Sequence, residues 1–227
     1  MNMVAKKILS AKSFRNSIYL DFEGRKSIDG EDYPLPHMAG IFRPNANGKS
    51  GVYPVIFFKP RWKPAKNGSG KHAILADFNE YFSSLIEELD HQEKHIVYWT
   101  QHEEKMLEKH LSSNTFDNLR PYLYNVHPLA KRYANRLKKF GPEGTARKKT
   151  LEEFFSVLYR KRKPYPPLKN GPSETCQRID RACANTQRWR NFTERQKEYV
   201  KALLAYNEGD CRGTWLIAKK VGNFYAT

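Results

Sequence analysis

The chain has 227 residues, of which 39% are hydrophobic and 13% aromatic, enough for one domain with a sizeable core and too much for a disordered tail. A formal net charge of +16 is unlike that of an ordinary metabolic enzyme and points to a polyanionic partner, nucleic acid first. Cys176, Cys183 and Cys211 form no CxxC pair, which argues against a disulfide framework and a thiolate zinc site.

No apolar run nears the roughly 20 residues of a membrane span, and the N-terminus lacks the apolar core of a secretory signal. The expectation is a soluble, intracellular protein of a reducing, cytoplasmic compartment, with no membrane partner.

In chain order, residues 17–22 (SIYLDF) alternate, so Ile18, Leu20 and Phe22 face one side of a first strand and Tyr19, Asp21 and Glu23 the other. HMAGIF (37–42) and VYPVIFF (52–58) read as two more strands of an antiparallel meander. A lysine- and glycine-rich loop, KPAKNGSGKH, leads to a helical period at Phe78, Phe82, Leu85, Ile86 and Leu89. HIVYW (95–99) is a short buried strand, HEEKMLEKHL (102–111) a helix with Met106, Leu107 and Leu111 inward, and YLYNV (122–126) a fifth strand. Beyond it the pattern is helical: LEEFFSVLY (151–159), a proline-rich break, then helices from about Ser173 to the end.

Asp21 and Glu23 are two apart on a strand, so both carboxylates emerge on one face, where their repulsion calls for protons or cations. A solvated strand end with two incidental acids is the plainer alternative. Near the C-terminus, Tyr206 and Asp210 lie four apart and share a helical face close to the apolar positions Leu203, Trp215 and Ile217. An acid buried there would need a cation, whereas an acid capping a helix after Gly209 would not.

IYLDFEG, IVYWTQHEEKMLEKHL and AYNEGDC resemble the three motifs of the DEDD family of three-prime to five-prime exonucleases, and more narrowly a bacterial group of ribonuclease H-like nucleases. The resemblance implies an α/β fold: a mixed five-stranded sheet, three antiparallel strands followed by parallel ones, flanked by helices, with a helical, basic C-terminal half. It also implies a single domain of residues 1–227: a sheet core over 14–126, a basic helical insertion over 127–200 and a C-terminal helix with the third motif over 201–222.

Carried over by position, the resemblance makes Asp21, Glu23, Glu103 and Asp210 ligands of two Mg²⁺ or Mn²⁺ ions and Tyr206 the residue that orients the attacking water. Glu104 remains an alternative to Glu103. The chain departs from the pattern in having glutamate rather than aspartate in the second motif, and Asn125 where relatives often place a further acid.

Between Lys131 and Lys197 stand 19 Lys and Arg against 6 Asp and Glu, which assigns strand gripping to this half. The candidate phosphate contacts are Arg132, Arg136, Lys138, Lys139, Arg147, Lys148, Lys149 and the run Arg160, Lys161, Arg162 and Lys163, with Tyr159, Tyr165 or Trp189 available for base stacking. The expected partner is DNA or RNA, as single-stranded ends, and the expected activity exonucleolytic. A structure-selective endonuclease and a binding protein without turnover are the alternatives.

Overall fold

The computed structural model describes residues 9–26, 32–45, 47, 49–137, 150–159 and 168–225. Its centre is a mixed seven-stranded sheet built outward from β1 (Ile18–Glu23). On one side β1 pairs antiparallel with β2 (Met38–Pro44), and β2 pairs antiparallel with β4 (Val55–Phe57). On the other side β6 (Ile96–Tyr98) and β7 (Leu123–Asn125) run parallel to β1.

Two short strands exceed the five expected. β3 (Gly51–Val52) pairs with the far end of β2, and β5 (Ala73–Leu75) adds a parallel edge beside β4. Pro54 is the reason that 52–58 is not one strand: it has no N–H to give a ladder, although its carbonyl still accepts Ile41 N at 3.0 Å. β5 leaves Ile74 and Leu75 largely exposed, so its three residues carry no alternation to read. A 3₁₀ turn (Pro60–Trp62) precedes the stretch expected to be a loop, residues 63–72, whose first part coils into α2 (Lys63–Gly68). Pro60 and Pro64 occupy first-turn positions, where a missing N–H costs nothing.

The alternation of β1 holds, and it divides the core. Ile18, Leu20 and Phe22 pack with Phe82 and Leu85 of α3 (Phe78–His91), Met106 and Leu107 of α4 (Gln101–His110), and Phe116 of α5 (Ser113–Leu119).

The opposite face is covered by two clusters. Tyr19, Phe42 and Val97 lie under Leu129 of α6 (His127–Arg136), Phe154 of α7 (Leu151–Tyr159), and Trp215 and Ala218 of α9 (Glu194–Tyr225), with Phe14 of α1 (Ala11–Asn16) at the margin. Met38, Val55, Phe57 and Trp62 lie under Ile179 and Cys183 of α8 (Gly171–Asn185) and Leu203 of α9. The 32-residue α9 spans both clusters, and the polar face it presents between Leu203 and Trp215 meets β1 at Asp21 and Glu23. Among the described residues no helix is long and apolar enough to cross a membrane.

Candidate metal centre

One side-chain oxygen from each of Asp21, Glu23 and Asp210 lies within 4.8 Å of the other two. β1 supplies the first two by its period of two, and α9 brings the third across the sheet from the other end of the chain. Glu23 is 4% exposed and Asp210 9%, so the cluster is not a solvated strand end.

Asn207 lies at the centre of this pocket, and it was not among the residues singled out in the sequence. Its Nδ2 donates to Asp21 Oδ2 at 2.6 Å and to the Asp21 carbonyl at 3.2 Å, and faces Glu23 Oε1 at 3.5 Å. Its Oδ1 accepts the Tyr53 hydroxyl at 2.5 Å. Room for this exchange comes from Gly40, the residue opposite Asp21 on β2, where a Cβ would stand 1.6 Å from Asn207 Oδ1 and 2.6 Å from the Tyr53 oxygen. The break at Pro54 that ends β3 leaves Tyr53 outside the ladder. The only sequence signal for Asn207 is its position one residue after Tyr206.

Tyr206 hydrogen bonds to Asp210, and burial together with the charges of Asp210, Glu23 and Asp21 raises its phenol well above the usual range, so it stays protonated and acts as a donor. Cys211 is fully buried with its Sγ 3.4 Å from the Gly40 carbonyl. Burial and the Asp21 carboxylate push its thiol upward, which fits a packing residue rather than a nucleophile.

Glu103 stands beside the triad rather than in it. It is the N3 residue of α4, and its Oε2 accepts Thr100 N at 3.1 Å and Thr100 Oγ1 at 2.8 Å, a capping box already written in the T-x-x-E spacing. Burial pushes its carboxyl up to about 7; the Thr100 hydrogen bonds oppose the shift and the Asp210 charge adds to it, which places Glu103 within electrostatic reach of the cluster. Glu104 instead accepts the Tyr98 hydroxyl and lines a different cleft with Phe116 and Arg120. Asn125 accepts His127 N at 3.0 Å, a turn that starts α6.

The candidate phosphate contacts are distributed differently. Arg136 lies over the Phe224 ring, 5.1 Å from its centre, at the far end of α9. Fourteen helical steps, roughly 20 Å of axis, separate Phe224 from Asp210. Arg132 is exposed on the same short helix as Arg136. Lys138, Lys139, Arg147, Lys148, Lys149, Arg160, Lys161, Arg162, Lys163 and Tyr165 lie outside the described residues. Of the aromatic residues offered for stacking, Tyr159 stacks on Phe155 and donates to the Leu216 carbonyl at 2.6 Å, while Trp189 packs against Phe192, where a Cβ on Gly68 would meet its ring at 2.2 Å. Both rings are occupied in packing.

All three clustered acids offer hard oxygen donors, the set preferred by Mg²⁺ and Mn²⁺ and not by zinc. Three carboxylates gathered within 4.8 Å, two of them buried, are a donor set whose chemistry fits a hard divalent ion. Comparison with known proteins finds no matching family model, no matching curated protein and no matching solved structure.

Proposed function

We propose that the chain is a metal-dependent nuclease of the ribonuclease H-like type that hydrolyses phosphodiester bonds. The observation that carries this reading is the convergence of Asp21, Glu23 and Asp210, distant in sequence, in one largely buried pocket. Within the sheet path β5-β4-β2-β1-β6-β7, the antiparallel run of β1, β2 and β4 and the parallel β6 and β7 agree with the strand pattern the motif resemblance implies, and the net charge of +16 suits a polyanionic substrate.

In this reading Asp21, Glu23 and Asp210 would hold Mg²⁺ or Mn²⁺, with Glu103 as the outer member of the set to which the resemblance assigns two ions. The ions, when bound, supply Lewis acidity and a nucleophilic water at neutral pH. The protein's own residues set the geometry. Asn207, tied to Tyr53, fixes the Asp21 carboxylate on its inner side; Tyr206 remains a protonated donor beside Asp210 and orients water through its hydroxyl. The finer assignment, a three-prime to five-prime exonuclease acting on single-stranded ends, rests on the Tyr206–Asp210 spacing.

A second reading also has an observation behind it. The Asn207 amide donates to Asp21 and faces Glu23, so a hydrogen-bond donor already serves part of the need for a cation. A binding protein that has lost turnover would look like this. One experiment separates the two. Purified protein is incubated with end-labelled single- and double-stranded DNA and RNA, with Mg²⁺, Mn²⁺ or EDTA, beside Asp210→Asn. Metal-dependent release of mononucleotides by the wild type, and not by the variant, supports the exonuclease; cleavage of a circular strand points to an endonuclease. Tight binding without cleavage in any metal supports the second reading.

A further inference from the structure

A groove leads away from the acid pocket on the side where β1 ends. Its inner lobe, about 380 Å³, is lined by Glu23, Arg25, Lys26, Tyr33, His102 and Ser173, among others. Its outer lobe, about 600 Å³, is lined by Lys26, Ser173, Glu174, Gln177, Arg178 and Arg181. Lys26, Pro172 and Ser173 line both lobes, so the two adjoin, and Glu23 belongs both to the inner lobe and to the carboxylate triad.

The far wall is one face of α8. Glu174, Gln177, Arg178 and Arg181 follow the i, i+3, i+4, i+7 spacing of a helical stripe, while Thr175, Cys176, Ile179, Ala182 and Cys183 on the other side are buried. The wall is also anchored. Asp180, on the same helix and 3% exposed, accepts Trp62 Nε1 at 2.8 Å, Arg61 Nη2 at 2.6 Å and the guanidinium of Arg25, which ties α8 to the end of β1. The Lys26 backbone N–H donates to Ser173 Oγ at 2.9 Å, which fixes the two walls against each other where the lobes adjoin.

The charges along this path are not equivalent. Arg25 and Arg61 are committed to Asp180, and Arg178 to Glu174 and the Tyr199 hydroxyl. The side chains of Lys26 and Arg181 have no carboxylate partner among the described residues, and both are exposed on the groove. Tyr33, which lines the inner lobe against His102, has a φ of +54°, a left-handed conformation that a bulky residue rarely adopts and that tends to mark ligand sites.

We propose that this groove is the track by which one nucleic-acid strand reaches the acid pocket, with successive phosphates held by Lys26 and Arg181 and the reacting phosphate delivered past Glu23. The inference rests on the nuclease reading for its direction, from basic entrance to acidic end. It moves the grip from the 131–163 segment to a wall formed by α8.

The test is fluorescence anisotropy in EDTA with short fluorescein-labelled oligothymidylate and oligouridylate, across a salt series, for wild type and Lys26→Ala/Arg181→Ala. Both positions are exposed, and circular dichroism verifies that the double variant folds. Removing two phosphate contacts lowers the slope of log K against log salt by about 1.4. Wild-type affinity and slope in the double variant overturn the inference, as does a wild type that binds neither strand. Cleavage in Mn²⁺ is scored separately. A protein that cleaves but ignores the double substitution keeps the nuclease reading and loses the track. One that binds through Lys26 and Arg181 but never cleaves does the reverse.

Discussion

Two buried carboxylate centres lie on the same side of the sheet, and their neighbours make them opposites. Asp180 is surrounded by Arg25, Arg61, the Trp62 N–H and, at 3.8 Å, His37; burial works against its charge, but these groups together hold its carboxyl below the usual range. Glu23 and Asp210 are as deeply placed, yet the groups nearest them include further acids, and Glu103 beside them is pushed up to about 7. Burial is common to both. What differs is the company: Asp180 sits among guanidinium and N–H donors, whereas Asp21, Glu23 and Asp210 share one pocket with the Asn207 amide between them. The first arrangement is structural. The second is the arrangement to which the proposed function assigns a hard divalent ion.

The comparison breaks most visibly if the acids are exchanged for amides. Asp21→Asn should reduce metal-dependent cleavage by more than about 100-fold while leaving the folded state intact, since outer-sphere changes alone cost 10 to 100-fold at metal sites. Steady-state rates with labelled strands measure it, and an unchanged rate would remove Asp21 from the site. Asp180→Ala should act oppositely, leaving metal affinity unchanged and costing about 2 to 3 kcal/mol in urea unfolding. The figure is kept below that of a fully buried pair because Arg25 and Arg61 are 38% and 47% exposed and can rehydrate.

Gly40→Ala comes next, at about 1 to 3 kcal/mol of overpacking. Because the new methyl would collide with Asn207 Oδ1, metal affinity should fall with stability, a coupling that calorimetry on the same sample detects.

The smallest effects are in pH. Burial and the nearby Lys59 charge lower His37 to about 3 from 6.5, so between those values the unfolded chain binds a proton that the folded chain does not. Stability near Asp180 therefore falls as pH drops through 6.5 toward 3, and His37→Gln should flatten that limb. For Glu103 the sign reverses. Its folded carboxyl, raised from 4.5 to about 7, is protonated where the unfolded one is not, so in EDTA its contribution is present at acid pH and is lost as pH rises through that window. Unfolding midpoints of Glu103→Gln and wild type at pH 5 and 8 measure it. Equal differences at both values would contradict the assignment.

Much of this contrast was legible in residues with a strong local period. The alternation of 18–23 gave both faces of β1, and the spacing of Tyr206 and Asp210 gave one face of α9, because strand and helix periods alone decide them. The basic stripe of α8 also has a helical period, but its charges were lost within the larger excess from Lys131 to Lys197. Asn207, Tyr53 and Gly40 were not legible, since their meeting depends on cross-strand register and on the seating of α9 on the sheet. Glu103 stands out by motif resemblance, and the capping box that holds it is legible in the Thr100-x-x-Glu103 spacing. The edge strands β3 and β5 were missed because two or three residues carry no period, and Pro54 interrupts what reads as one apolar run.

The most direct test of the account is thermal unfolding of wild type, Asp21→Asn/Asp210→Asn and Asp180→Ala with and without Mn²⁺. At a free concentration about 100 times the dissociation constant, binding of one ion adds about 2.7 kcal/mol, roughly 5 to 10 °C in Tm for a chain of this size. The account predicts that rise for wild type and for Asp180→Ala, from a lower starting Tm, and its absence in the double carboxylate variant. A wild type indifferent to Mn²⁺, or a double variant stabilised as much as wild type, would contradict it.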